Sequence, residues 1–379
     1  MRIALVHKRY DRLGGAEWDC FELSHQLAAR GHDVHLVVGE CRVPVPDGVT
    51  LHRVPVVRLG QLGKLLSFAT LAPRVWRRVG ADVVIGFGRT VGQDLFRASG
   101  GCHKGYLARV AAERGALAAL RQRLSPYHRA LLAIERRQYA DGAQTTLAVS
   151  ELSRQEILDL YPTVTAANVA VLHYGVDVER FHPARRSTDG PAIRAELGLS
   201  SDRPVVLFVG TGFKRKGVDT LLDIWRREPP AGAALVVVGN DQRLASYKRL
   251  AADLRGPVVF TGPRRDVERL YAAGDAFALP SLYEGCPVSI LEALASGLPV
   301  VTSRATGAPE LLGGALVELL VDDPRDADAV AARLRTALDP DRRPTLTAAA
   351  RAAGCANGLA IAVDRLESWC RVIAERRGA

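Results

Sequence analysis

Two glutamates eight residues apart, Glu284 and Glu292, bracket a helix start in the run Pro280-Ser281-Leu282-Tyr283-Glu284-Gly285-Cys286-Pro287-Val288-Ser289-Ile290-Leu291-Glu292. The apolar run before them ends at Leu279 and reads as a strand. Glu284 therefore falls in a loop at the carboxyl end of a strand, where open α/β sheets bind ligands. Gly285 lets backbone approach a ligand closely. A helix opening near Val288 or Ser289 leaves its first N–H groups without intrahelical partners, and such groups bind phosphate well. Glu292, about one turn in, can accept hydrogen bonds from a ribose diol, and Glu284 from sugar hydroxyls. A single glutamate beside a helix start can also do no more than compensate the helix dipole.

A second constellation, Gly212-Phe213-Lys214-Arg215-Lys216-Gly217, follows an apolar strand and opens a helix. Three cations beside free helix N–H groups suit a diphosphate. Arg215 can chelate phosphate oxygens while Lys216 adds a compact charge. A nucleoside diphosphate leaving group gains negative charge as a glycosidic bond breaks, and such a loop would stabilise it. The other reading is a solvated basic loop. A third loop, Leu13-Gly14-Gly15-Ala16-Glu17, also joins a strand to a helix; it is either a ligand loop or an ordinary tight turn. The full G-x-G-x-x-G pattern is missing from it, which counts against a nicotinamide-binding domain. No Asp-x-Asp cluster sits in a plausible metal loop, so no required metal is expected.

Elements of two kinds must position these loops. In the first half, 3–7, 34–38 and 83–86 read as strands, with another around 95–98; 16–30 reads as a helix stopped by Gly31. The second half restarts the scheme with strands at 204–209, 234–238, 258–261, 276–279 and 299–302. Helices at 218–226, 246–254, 267–273, 289–296 and 327–338 separate them. Near-continuous Val, Ile and Leu runs fit strands buried on both faces of a parallel sheet. Alternating strands and helices imply right-handed crossovers and doubly wound sheets. The chain of 379 residues is long enough for two domains, and 48% hydrophobic residues can fill both cores. The boundary is expected within 173–183. A last helical pattern covers 360–376.

Six scattered cysteines without a CxxC pair argue against a disulfide framework or a zinc site, and so for a cytoplasmic protein. No stretch approaches the roughly 20 apolar residues of a membrane helix. A net charge of +10 admits nucleic acid, anionic lipid or phosphorylated partners, or only an arginine-rich genome.

Taken together, these motifs resemble the family 4 glycosyltransferases of the GT-B fold. The likeness rests on Gly14-Gly15, Ala148-Val149-Ser150-Glu151, Tyr174-Gly175-Val176-Asp177 with Phe181 and Pro183, Arg215-Lys216-Gly217, and Glu284 with Glu292 as E-x7-E. Within the family it is most like glucosyltransferases of the lipopolysaccharide core. The resemblance implies an α/β GT-B architecture, with two Rossmann-like doubly wound domains facing across a cleft. Residues 1–175 would be the acceptor domain, with 360–376 packing back on it, and 183–355 the nucleotide-sugar donor domain. It implies a retaining, metal-independent hexosyl transfer, glucose from UDP-glucose first, to a lipid-linked or lipopolysaccharide-core glycan. GDP-mannose or UDP-N-acetylglucosamine donors for another envelope glycan are the alternative. Arg215 and Lys216 would hold the diphosphate with Val288 and Ser289, Glu284 the donor sugar, Glu292 the ribose, and Gly14 and Gly15 would approach from the first domain. His103 matches by position a first-domain histidine near the sugar, or is a histidine bonded within its loop; Asp19 either contacts acceptor or merely sits on the first helix.

Between Lys104 and Arg137 lie eight Lys or Arg residues, opposed only by Glu113 and Glu135 and interleaved with leucines. Helices broken at Pro126 with an apolar stripe and a basic face would lie on an anionic membrane surface. The 103–139 region is thus expected to make the protein peripheral on the inner membrane's cytoplasmic face, unless its apolar stripe faces the core. A nucleic-acid partner is not expected, because aromatic residues are only 6% and stacking platforms are scarce. A sugar-nucleotide sensor would bind without turnover, and a sugar-nucleotide epimerase would need no acceptor.

Overall fold

The computed structural model describes residues 1–12, 14–140 and 142–378; Leu13 of the first glycine loop lies outside them. The chain divides into two compact units, Met1–His173 with Ala362–Ala379, and Tyr174–Ile361. In the first, strands β1 (Arg2–Tyr10), β2 (Asp33–Cys41), β3 (Val49–Arg53), β4 (Val83–Gly86), β5 (Leu95–Ala98), β6 (Thr145–Ala148) and β7 (Val169–Val171) form one parallel sheet in the order β3-β2-β1-β4-β5-β6-β7. In the second, β8 (Val205–Val209), β9 (Ala234–Val238), β10 (Val258–Gly262), β11 (Ala276–Leu279), β12 (Val300–Ser303) and β13 (Leu320–Val321) pair in the order β10-β9-β8-β11-β12-β13. The inner strands β4, β9 and β11 are apolar runs, and together with β12 they are buried at all their positions.

The strand order decides where ligands can go. In each sheet the chain winds outward from one strand, returns, and winds the other way. The reversal falls between β1 and β4 in the first unit and between β8 and β11 in the second. Loops leaving the carboxyl ends of such a pair diverge and leave a crevice. The Gly14-Gly15 segment follows β1. The cationic loop follows β8, and the Glu284 loop follows β11.

Several elements depart from the sequence expectation. Helix Gly60–Val79 was not among the expected elements; it carries Pro73 inside it and buries Leu65, Phe68, Ala72 and Trp76, and that packing overrides the proline. Helix Arg343–Ala356 was also missed. Its Pro344 sits in the first turn, where no N–H is needed. The short strands β3, β7 and β13 carry too little pattern to be read. The last helix spans Leu359–Gly378; within the first unit, Arg30 Nη1 meets Asp364 at 2.5 Å, His32 meets Glu367 at 3.0 Å and Arg377 meets Asp94 at 2.9 Å.

Helix Val288–Ala295, which carries Glu292, is held by helix Arg343–Ala356 through Gly354. A Cβ on Gly354 would lie 2.4 Å from the Ala295 nitrogen. Gly354→Val is therefore expected to overpack this crossing by about 1–3 kcal/mol and to lower the melting temperature measured by circular dichroism; an unchanged melt would mean that the two helices part freely.

Candidate functional site

The second unit brings together four of the residues singled out by sequence. Gly217 turns the chain at φ 83°, and a Cβ there would lie 2.1 Å from the Pro280 carbonyl oxygen, so the loops after β8 and β11 touch at this glycine. Leu282 N donates to the Arg215 carbonyl at 2.8 Å, which locks the two loops in register. Across that contact the Arg215 guanidinium donates to a Glu284 carboxylate oxygen and, at 2.8 Å, to the Tyr283 carbonyl. Lys216 Nζ stands 3.4 Å from the same Glu284 oxygen. Glu284 is itself anchored, bridging in parallel to Thr306 and accepting Gly307 N at 3.0 Å through its backbone carbonyl.

Lys216 is only 8% exposed. Its stem runs over Gly210, where a Cβ would lie 2.7 Å from Lys216 Cδ. Burial pushes the Lys216 ammonium below the ordinary lysine value, and Glu284 pulls it back. Arg215 remains half exposed. The pair thus offers one half-exposed and one buried cation on a single carboxylate oxygen. Phe213 anchors the loop from below: it is fully buried against Phe208, Tyr247 and Phe260, and its N–H donates to Asp241 at 2.8 Å.

Glu292 lies in the second turn of helix Val288–Ala295, whose first N–H groups belong to Val288 and Ser289. Its carboxylate accepts the Tyr271 hydroxyl at 2.7 Å. Burial raises the Glu292 carboxyl above the usual carboxylate range; the Tyr271 hydroxyl opposes this, while nearby Glu268 adds to it. Glu268 in turn takes Arg180 Nη2 at 2.8 Å and Nε at 3.1 Å. Tyr271, Arg180 and Glu268 were not legible in sequence: Tyr271 and Glu268 share helix Val267–Ala273 while Arg180 comes from a distant segment, and none sits in a recognisable motif.

In the first unit, Gly14 holds φ 112° and Gly15 opens helix Gly15–Ala29; a Cβ on Gly14 would lie 2.5 Å from a Glu17 carboxylate oxygen. Asp19 is buried and paired at 2.9 Å with Arg97 Nε of β5. Arg97 also donates to the Leu172 and His173 carbonyls, so this pair fastens the end of the first unit. Burial raises the Asp19 carboxyl, and Arg97 offsets part of that. Arg97 escaped the sequence reading inside a strand of apolar neighbours.

His103 is buried at the start of helix His103–Arg114. Its Nε2 lies 3.1 Å from His128 Nδ1, and its ring stacks on Tyr106 and His128. Beneath it the fully buried Glu135 accepts the backbone N–H groups of His103 (2.6 Å) and Lys104 (3.0 Å), the Tyr161 hydroxyl (2.6 Å) and Arg89 (2.7 Å). This carboxylate occupies the positive pole of the helix. Burial and the neighbouring Arg89 push the His103 imidazole down to about 4, so the ring is neutral at pH 7.

The family described as Glycosyltransferase Family 4 matches residues 13–180, and the family described as Glycosyl transferases group 1 matches residues 203–340. The chain belongs to the family 4 glycosyltransferases of the GT-B fold and is a nucleotide-sugar-dependent glycosyltransferase. It is similar to the lipopolysaccharide glucosyltransferase WaaG of Escherichia coli (strain K12), 28% identical over 355 residues that make up 89% of this chain and 90% of that protein. The crystal structure of WaaG, a glycosyltransferase involved in lipopolysaccharide biosynthesis, superposes with a TM-score of 0.80 at 25% identity, covering 98% of this chain and 99% of that one. A GDP-mannose-dependent phosphatidylinositol monomannoside mannosyltransferase of Mycobacterium tuberculosis is 35% identical over 236 residues, 57% of this chain and 58% of that protein.

The depressed His103 value makes a stability prediction. An unfolded histidine titrates near 6.5 and the folded one near 4. Between these values the unfolded chain holds more protons, so the His103 contribution is complete above pH 6.5 and is lost as pH falls toward 4. In His103→Gln the fall in melting temperature between pH 7 and pH 4.5 is expected to be shallower than in the parent; superimposable profiles would show that His103 titrates normally.

Proposed function

We propose that this glycosyltransferase is a retaining hexosyltransferase that takes glucose from UDP-glucose and adds it to a lipid-linked or lipopolysaccharide-core glycan at the cytoplasmic face of the inner membrane. The observation that carries the reading is the meeting of Arg215, Lys216 and Glu284 where the strand order reverses between β8 and β11. In this reading Arg215 and Lys216 hold the diphosphate, joined by the Val288 and Ser289 N–H groups, and absorb the charge that grows on the leaving group. The reading gives that task to no metal. Glu284, released from the cations by the diphosphate, orients the donor sugar. Glu292, fixed by Tyr271, accepts from the ribose. Gly14 and Gly15 give the first unit's loop a backbone that admits a diphosphate. A neutral His103 suits a hydrogen bond to a sugar hydroxyl, and Asp19 acts through Arg97 as a positioning residue. Retention of configuration is taken from the family. The WaaG relative supports glucose, and the mannosyltransferase relative supports GDP-mannose as the second reading; UDP-N-acetylglucosamine is the third donor to compare.

The acceptor side draws on the 103–139 region, which folds as three helices: His103–Arg114, Ala116–Leu124 and Pro126–Ala140. The third packs Leu131 and Ile134 against Leu65 and Ala69 of the first unit. The middle helix buries none of its described residues. Leu117, Leu120 and Leu124 are 65%, 52% and 67% exposed, with Arg121 and Arg123 exposed beside them. Exposed leucines flanked by arginines suit an anionic lipid surface. No helix among the described residues is long and apolar enough to cross a membrane.

Thermal melts with UDP-glucose, GDP-mannose and UDP-N-acetylglucosamine test the donor, since a ligand of the native state at 100 times its Kd adds about 2.7 kcal/mol. UDP-glucose is expected to raise the melting temperature most. Glu284→Gln is expected to keep the shift given by UDP, because it leaves both cations in place, while transfer falls about 10²-fold. A panel without any responder, or equal loss of UDP binding and transfer, would contradict the assignment.

Co-sedimentation with phosphatidylglycerol vesicles tests the surface. The parent chain is expected to pellet with them and to release at high salt, whereas Leu117→Asp with Leu124→Asp stays in solution. A parent chain that never pellets sinks the membrane reading.

A further inference from the structure

A second charged centre sits at the other end of the second unit's sheet. Asp275 precedes β11 at its amino end, whereas the Glu284 loop leaves the carboxyl end. Asp275 is 3% exposed and accepts four donors: Val205 N at 2.8 Å, Arg194 Nη2 at 2.7 Å, Arg343 Nη1 at 3.1 Å, and Arg186. Burial acts to raise its carboxyl, and Arg186, the Val205 N–H and Arg194 more than reverse this. Three guanidiniums on one carboxylate leave two positive charges uncompensated.

The three arginines are not equivalent. Arg194 is buried and spends its remaining donors on the Ala273, Ser201 and Arg203 carbonyls. Its charge is structural. Arg186 and Arg343 are about half exposed and line a cavity of 200 Å³ together with His182, Ser296 and Thr347. Asp275 is the single acidic residue among the described lining residues. The Ser296 hydroxyl is buried there and makes no hydrogen bond among the described residues. Tyr271, Pro183 and Leu298 supply apolar wall.

We propose that this cavity binds a phosphate group, carried by free phosphate or by a small phosphate monoester, on Arg186, Arg343 and Ser296. A phosphate dianion matches the two uncompensated charges. Its several acceptor oxygens can serve two guanidinium forks and one hydroxyl at once. The carboxyl pole of helix Val288–Ala295, which ends at Ser296, opposes an anion weakly; two guanidiniums outweigh it. The apolar wall receives the organic part of an ester. The site shares no charged group with the Arg215 loop, although its wall residue Tyr271 also holds Glu292.

Isothermal titration calorimetry of the full chain tests it, with sodium phosphate in one series and glycerol 1-phosphate in another. One equivalent is expected to bind the parent protein. Arg343→Gln is expected to weaken binding about tenfold or more, and Ser296→Ala to weaken it several-fold. Arg215→Gln leaves it unchanged, which separates this cavity from the loop after β8. Equal affinity for both probes assigns the site to the phosphate group itself; preference for the ester assigns it to a phosphorylated metabolite. The proposal is overturned if neither probe binds below about 10 mM, if Arg343→Gln binds as the parent does, or if Arg215→Gln abolishes binding. Should melting curves show Arg343→Gln to be unfolded, Ser296→Ala decides, since it removes only an unpaired hydroxyl.

Discussion

The buried ammonium of Lys216 is the constraint on which the second unit's loops depend. An unpaired charge at that depth would cost several kcal/mol, so a carboxylate must be delivered beside it. Glu284 arrives from a loop some seventy residues downstream. It is held in place by Thr306 and Gly307 beyond β12. Space for the lysine stem exists only because position 210 has no side chain. Gly210 in turn is crowded by Gly239 after β9, where a Cβ would lie 1.9 Å from the Gly210 carbonyl oxygen. Loops leaving four strands are thereby fixed by one charge and two missing methyl groups. The strand order accounts for their convergence, and the charge accounts for their precision.

What could be read from sequence follows from where the information lies. Runs such as Ala234–Val238 and Ala276–Leu279 are buried on both faces, so their residue types alone declare them, and their bounds came out as expected. The E-x7-E pair and the Arg215-Lys216 loop were legible because both chemistries lie within short contiguous segments. Other features were not. Helix Gly60–Val79 hides behind Pro73, and only its tertiary packing reveals it. Tyr271 on Glu292, Arg97 on Asp19 and three arginines on Asp275 are each joined by pairing across long separations. No local pattern announces which arginine of many will be buried.

The 103–139 region shows how one composition can serve two ends. Its leucines and arginines alternate throughout, so a choice between a lipid-facing and a core-facing stripe looked exclusive. Gly115, at φ 81°, and Pro126 divide it into three helices instead. The outer two are tied to the unit by Glu135 and by Leu131 and Ile134, while the middle one extends its leucines into solvent. The break at Gly115 went unread because a single glycine is weak punctuation among good helix formers.

The contact between Arg215, Lys216 and Glu284 has a consequence for selectivity. The cationic loop carries its own competitor, a carboxylate tethered at a high effective concentration. An anion that makes one contact gains little by displacing it. On the proposed donor reading, a ligand that brings two linked phosphates, and hydroxyls for the carboxylate it displaces, would engage all three residues together. On that reading, abundant inorganic anions would be discounted by this contact itself, before the rest of any ligand is inspected.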